Sequence, residues 1–399
     1  MKILVVCQYF YPEQFRVNDV CFELATMGHE VTVLAGLPNY PSGVVSREYR
    51  WGRRRCETVN GVRIVRAPLI GRGQGAFRLA INYVTFALSS TIRAAFLERD
   101  FDVIFVYQLS PITMAFPALF LRRLAAKPVL LYCQDLWPES IVAGGIARQS
   151  IAYKLVLGMS RWIYSRVDRI AISSRMFDEY FRGIIGYEGD ITYLPVYADD
   201  VLGDVQAKAD DSGTTDVLFA GNIGELQSVE TIVMAARELK ERNDIRWHIV
   251  GDGSARQRCE STARGMGLDT VIFHGHHHAS DMPAFYSMAD ALLVTLKADE
   301  VLSYTLPFKV QSYMATGKPI IGAINGETRM VIEEAQCGLC CDAEDHAGLA
   351  AIVKEFADNR GRYLDCGANA RAYYNVHFRK TDFMERLVRL LSESQEGVR

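Results

Sequence analysis

Five stretches of the chain carry residue types that can do chemistry. Gly221-Asn222-Ile223-Gly224 and Gly251-Asp252-Gly253 each end a short apolar run. Glycine lets a backbone come closer to a ligand than any residue with a side chain. Lys309, in Pro307-Phe308-Lys309 just ahead of a helical stretch, offers a cation of the kind that steadies growing negative charge on a phosphate. Tyr132-Cys133-Gln134-Asp135 ends another apolar run with a carboxylate, a group able to orient or deprotonate a hydroxyl. Gln134 cannot act as a base. Asp135 carries that expectation, with Glu139 four residues on as its support and an N-cap as its alternative role. Arg16, at the start of a helical stretch, suits a phosphate.

Other clusters read more plainly. Asp100-Phe101-Asp102 is formally a D-x-D, but its position before a strand fits capping and solvent exposure. His274, His276, His277 and His278 lack a spaced set of Cys or carboxylate partners, so no zinc site is expected. Cys337-Gly338-Leu339-Cys340-Cys341 is a lone C-x-x-C and reads as buried small hydrophobes.

These residues need a scaffold, and the chain alternates strands with helices. Lys2–Cys7 reads as a strand, Val17–Met27 as a helix closed by Gly28, and Glu30–Leu34 as a second strand. That order implies a parallel pair with a right-handed crossover. Apolar strands recur at Val62–Arg66, Val103–Tyr107, Val129–Cys133 and Arg169–Ser173. A second series runs Val217–Ala220, Trp247–Val250, Val271–Phe273, Ala291–Thr295 and Pro319–Ala323. The expectation is α/β: two doubly wound domains, residues 1–198 and 216–376, with ligands at the carboxyl ends of their strands. The polar, acidic stretch 199–215 between them reads as a linker.

Composition bounds the function. The 399 residues are 49 % hydrophobic and 23 % charged with a net charge of −3, which excludes disordered, collagen-like and disulfide-scaffold chains. Nine thinly spread cysteines in so large a chain imply reduced thiols and a cytosolic compartment. No signal peptide and no run of about 18 apolar residues is visible. Residues 1–195 carry net +7 and residues 196–399 net −10, so the first half suits an anionic partner. Arg47, Arg50, Arg53, Arg54 and Arg55 with Trp51 form either a solvated loop or a contact with an anionic membrane. Phe77–Leu97 and Pro111–Arg123 are apolar with few charges, which fits buried helices or a lipid-facing surface.

The N-terminal run with Gly28-His29-Glu30-Val31-Thr32-Val33 resembles retaining glycosyltransferases of family 4, which have the GT-B fold. Asp135–Ser140 (DLWPES), Ala220–Gln227 (AGNIGELQ), Phe273–His276 (FHGH) and Leu306–Ile321 extend the likeness to nearly the whole chain. They narrow it to the branch that builds bacterial O-antigen and capsule, which includes N-acetyl-L-fucosaminyl transferases. The resemblance implies two Rossmann-like domains facing a cleft, the first binding acceptor and the second a nucleotide-sugar. A terminal helix, 377–399, would return to the first domain.

It also implies roles. Gly221, Asn222, Gly224 and Gln227, the last standing where a lysine is common, would meet the donor phosphates with Lys309. Gly251 and Asp252 would face the nucleotide, and Phe273 and His274 would meet its base through backbone groups. The family's pair of glutamates aligns with Tyr304 and Ser312, neither of them Glu; Ser312 would bond the ribose and Glu300 compensate. Arg16, Asn18, Asn39 and Gln134 would line the acceptor side.

The implied activity is metal-free transfer of an N-acetylated hexosamine or deoxyhexosamine from a UDP-sugar. The acceptor would be a polyprenyl-diphosphate-linked glycan at the cytoplasmic face of the inner membrane, with no nucleic acid involved and no cofactor. Open alternatives are a GT-B nucleotide-sugar epimerase and a non-catalytic sugar-nucleotide-binding partner, the latter favoured by the missing glutamates. An NAD-dependent dehydrogenase fits poorly, because Gln8–Arg16 holds no glycine.

Overall fold

The computed structural model describes residues 1–142, 145–198, 202, 205 and 213–396, so most of the expected linker 199–215 lies outside the described residues. The chain forms two compact units. One is Met1–Leu194 with Met384–Arg399, the other Pro195–Phe383.

The first unit is an eight-stranded sheet of β1 (Lys2–Val6), β2 (Glu30–Gly36), β3 (Cys56–Val59), β4 (Val62–Ala67), β5 (Val103–Gln108), β6 (Val129–Cys133), β7 (Arg169–Ile172) and β8 (Ile191–Tyr193). Its order is β3-β4-β2-β1-β5-β6-β7-β8. All neighbours are parallel except β3 and β4. Ile3 pairs with Val31 on one side and Val103 on the other. β5 and β6 are buried at every residue, as parallel strands covered on both faces must be. The covering helices are α1 (Arg16–Thr26), α2 (Ala76–Ala94), α3 (Phe116–Ala125), the short α4 (Glu139–Val142), α5 (Ile151–Tyr164) and the short α6 (Phe177–Tyr180).

The second unit holds β9 (Thr215–Ala220), β10 (Ile245–Val250), β11 (Val271–Gly275), β12 (Ala291–Thr295), β13 (Ile320–Ala323) and β14 (Gly338–Cys341). All are parallel in the order β11-β10-β9-β12-β13-β14. Its helices are α7 (Val229–Glu238), α8 (Arg256–Gly265), α9 (Met282–Met288), α10 (Glu300–Ser303), α11 (Phe308–Thr316), α12 (Gly326–Glu334), α13 (His346–Asp358) and α14 (Leu364–His377).

The last helix, α15 (Lys380–Glu396), crosses from one unit to the other, and from Met384 onward it belongs to the first. There Leu387 and Leu391 are fully buried, and Glu393 pairs with Arg169 at 2.5 Å. Two doubly wound α/β units with a returning helix is the expected fold class. The sequence reading lacked β3, β8 and β14. β3 is an antiparallel edge strand made by a tight turn at Asn60-Gly61, both at positive φ. β14 hides in a glycine- and cysteine-rich run that carries no alternating signal.

Candidate functional site

In the second unit the carboxyl ends of β9, β10 and β11 are stitched into one platform. Gly221 N–H donates to Val250 O (3.0 Å), Gly251 N–H to Gly275 O (2.8 Å) and Ile223 N–H to Asp252 O (2.8 Å). A Cβ on Gly251, at φ +137°, would lie 1.8 Å from the Gly221 carbonyl oxygen, so no other residue fits there. Gly221 also sits at φ +137°, and a Cβ on it would stand 3.3 Å from Lys309 Nζ. Lys309 is the second residue of α11, where helix N–H groups and the helix dipole favour an anion.

Tyr313, one turn further along α11, locks this geometry. Its hydroxyl accepts from Ala220 N (2.9 Å) and donates to Ala220 O (3.1 Å). The Lys309 ammonium is buried and has no hydrogen-bond partner among the described residues. It rests over the Phe219 ring, 3.8 Å from the centroid. Burial without a carboxylate lowers its pKa from the ordinary 10.5 to about 7. A buried cation facing a glycine turn at a helix N-terminus is a site short of an anion.

In the first unit the Asp135 carboxylate lies beyond the end of β6. Ser110 Oγ donates to Asp135 Oδ2 at 2.9 Å while accepting from Trp137 Nε1 at 3.0 Å. Gln108 Nε2 anchors the Asp135 carbonyl at 2.7 Å. Burial raises the Asp135 pKa, and the Ser110 hydrogen bonds offset part of that rise. The group is held in one orientation by Ser110, as a residue that receives or positions a hydroxyl proton needs to be. No group of three or more His, Cys, Asp or Glu among the described residues is arranged to hold a metal.

Family models match both units: "Glycosyl transferase 4-like domain" over residues 14–196 and "Glycosyl transferases group 1" over residues 204–373. The chain belongs to the family 4 glycosyltransferases of the GT-B fold. It is 27 % identical over 341 residues to a protein of Escherichia coli (strain K12) named "Putative colanic acid biosynthesis glycosyl transferase WcaI", covering 79 % of this chain and 82 % of that one. It is 26 % identical to the GDP-mannose-dependent alpha-mannosyltransferase of Mycolicibacterium smegmatis, covering 91 % of this chain and 90 % of that one. The structure of Anabaena Alr3699/HepE in complex with UDP superposes with a TM-score of 0.72 at 14 % identity, over 98 % of this chain and all of that one.

The other expected site residues of this glycosyltransferase divide into those near the platform and those occupied elsewhere. Asn222 Nδ2 donates to Gln227 Oε1 (3.3 Å), which closes the first turn on itself. Asp252 Oδ1 accepts from Gly253 N–H (2.8 Å) and shapes the second. Ser312 is buried three residues after Lys309, on the same face of α11. Glu300 is exposed on α10, with Tyr304 Oη 3.4 Å from its carboxylate. Phe273 packs its ring on the core of the second unit.

His274 differs in its side chain alone, since its expected contact is through the backbone. It turns inward, its Nε2 lying 2.9 Å from His248 Nδ1, and His248 Nε2 lies 2.9 Å from the buried Asp216. Burial, His248 and His277 lower its pKa.

In the first unit Glu139 also differs. It does not support Asp135: its buried carboxylate accepts from Tyr153 Oη (2.5 Å) and Arg148 Nε (3.0 Å) and ties α4 to α5. Asn39 is likewise occupied, its Oδ1 accepting from Arg72 N–H (3.0 Å) and Asn82 Nδ2 (3.3 Å). Asn18 Nδ2 donates to Glu13 O (2.6 Å), and Arg16 pairs loosely with Asp19 (3.4 Å). Gln134 N–H donates to Gln108 O (2.9 Å), with its side chain half-buried beside Tyr132.

Three residues with clear roles escaped the sequence reading. Ser110 orients Asp135, Tyr313 holds the Gly221 turn, and Glu13 accepts from both Asn39 N–H (2.6 Å) and Tyr40 N–H (2.5 Å). Ser110 lies two residues after the end of a buried strand, which is the one signal that pointed to it.

Proposed function

We propose that the protein is a retaining glycosyltransferase of bacterial surface polysaccharide synthesis, using a UDP-sugar without a metal. The buried Lys309 ammonium against the Gly221 turn, without a hydrogen-bond partner among the described residues, carries this reading. In that role Lys309 takes the diphosphate of the donor. The bond from the sugar C1 to the diphosphate oxygen breaks, and the ammonium and the α11 N-terminus hold the departing charge. The acceptor hydroxyl forms the new bond to C1, and Asp135 orients that hydroxyl and takes its proton. Ser312 meets the ribose. The sugar is an N-acetylated hexosamine or deoxyhexosamine, and the acceptor a lipid-linked glycan met at the cytoplasmic face of a membrane. The relative named for colanic acid biosynthesis supports the polysaccharide role, and the UDP-bound structural neighbour supports UDP as the carrier. The GDP-mannose-dependent relative favours a second reading, with GDP as the carrier.

Thermal unfolding with UDP, GDP, UMP, ADP and NAD, each with EDTA present, tests the reading. A ligand that binds only the folded chain raises its Tm. A shift with UDP that vanishes in Lys309→Met is the expected result. A shift with GDP alone keeps the transferase and replaces the donor. No shift with any nucleotide overturns the donor site, and a shift without turnover returns the non-catalytic sugar-nucleotide-binding alternative.

A further inference from the structure

We propose that the exposed face of α2, α3 and α5 docks the first unit onto an anionic lipid bilayer. The inference deepens the reading of a lipid-borne acceptor by naming the surface that meets the membrane. Val84, Leu88 and Ile92 recur every four residues along α2 and so form one stripe. Phe96 continues it just past the helix end. Leu88 is 61 % exposed, Ile92 64 % and Phe96 78 %. A helix whose outer face met only water would place polar residues there. Beside the stripe lies a groove of about 780 Å³, lined also by Phe116 and Phe120 of α3 and Met159 and Trp162 of α5. The apolar surface runs on beyond the groove to Ile151 and Leu155, which are 78 % and 70 % exposed. A single hydrocarbon chain would fill the groove and leave these outer residues in water. A bilayer covers both.

Charge selects the kind of surface. None of the three helices contains an Asp or Glu, and together they carry Arg78, Arg93, Arg122, Arg123, Lys154 and Arg161. Arg122 is neutralised by Asp168, at 2.8 and 2.6 Å. Arg123 and Arg166 remain at the groove's rim. Arg166 lies over the Trp162 ring at 4.2 Å, an aromatic and a cation paired as at the headgroup level of a membrane. An apolar floor with Arg123 and Arg166 at its rim and no Asp or Glu in its lining matches acyl chains beneath anionic headgroups. No helix among the described residues is long and apolar enough to cross a membrane, so the contact is a lateral one.

Co-sedimentation with vesicles of phosphatidylcholine, with and without phosphatidylglycerol, tests the docking. The full chain is expected to pellet with the anionic vesicles and to remain in solution with phosphatidylcholine alone. Leu88→Glu, and separately the pair Arg123→Glu and Arg166→Glu, each lower the partition about tenfold. Both variants keep the wild-type nucleotide-induced Tm shift, which also shows that they fold. A loss of that shift in the wild-type chain would sink the donor site and leave the docking result standing. Three outcomes overturn the docking surface: no pelleting of the wild-type chain, unchanged pelleting of both variants, or a lipid-free dimer that Leu88→Glu turns into a monomer. The last assigns the face to a second copy of the chain.

Discussion

The Lys309 corner of the second unit and the Asp135 corner of the first place an ionisable group at the end of a strand, and they treat it in opposite ways. Asp135 is supplied with donors, and Ser110 is itself held by Trp137, so the carboxylate is oriented before anything binds. Lys309 is supplied with a buried aromatic face and a glycine turn, and with no counter-charge among the described residues. One corner stores orientation and the other stores electrostatic deficit. The first costs the folded chain little, because the hydrogen bonds repay the buried polar atoms. The second opposes folding and is relieved by an anion.

Gly251→Ala breaks the contrast most severely, because its Cβ would overlap the Gly221 carbonyl. We expect a loss of about 3 kcal/mol or more, read by urea unfolding, together with loss of nucleotide binding. Lys309→Met separates stability from function. It should lower kcat/KM about 10²-fold or more while raising the Tm of the nucleotide-free protein. A lowered Tm would mean that the ammonium has a stabilising partner after all.

The pH dependence sharpens the same point. Above 10.5 neither state holds the Lys309 proton; from there down to about 7 the unfolded chain takes a proton that the folded chain refuses. Its contribution to stability therefore falls with falling pH across that window and levels off below it. A diphosphate restores the charge, so nucleotide binding near pH 8.5 takes up close to one proton. Calorimetry in buffers of different ionisation enthalpy measures this uptake, and Lys309→Met abolishes it.

The smallest effect belongs to the oriented corner. Ser110→Ala removes a donor that lowers the Asp135 pKa, so the acid limb of the kcat/KM profile moves to higher pH by about one unit or less. A movement to lower pH, or none, removes Asp135 from the reaction.

The strands and glycine turns were legible in the sequence because they obey local rules. Buried parallel strands read as apolar runs, and glycines appear where a backbone must come close. Lys309 was legible for the same reason, through its place at a helix start. Residues that report on partners far along the chain were less legible. His274 and Glu139 sit among site-like motifs, yet their side chains are committed to Asp216–His248 and to Tyr153–Arg148. Ser110 and Tyr313 act through groups 25 and 93 residues away, a pairing that only the folded backbone discloses. The face of α2, α3 and α5 was half legible. Its apolar content was plain, but the side that stays uncovered is decided by which neighbours pack against it.

The crossing of α15 has a consequence for biosynthesis. Because Met384–Arg399 belongs to the first unit, the second unit is an insertion in sequence, threaded between two parts of its neighbour. On the ribosome Pro195–Phe383 emerges whole and can close its own sheet. The first unit waits, with the surfaces that bury Leu387 and Leu391 still open, until α15 has been made. A chain cut short before α15 would thus hold a complete second sheet and a first unit lacking part of its core.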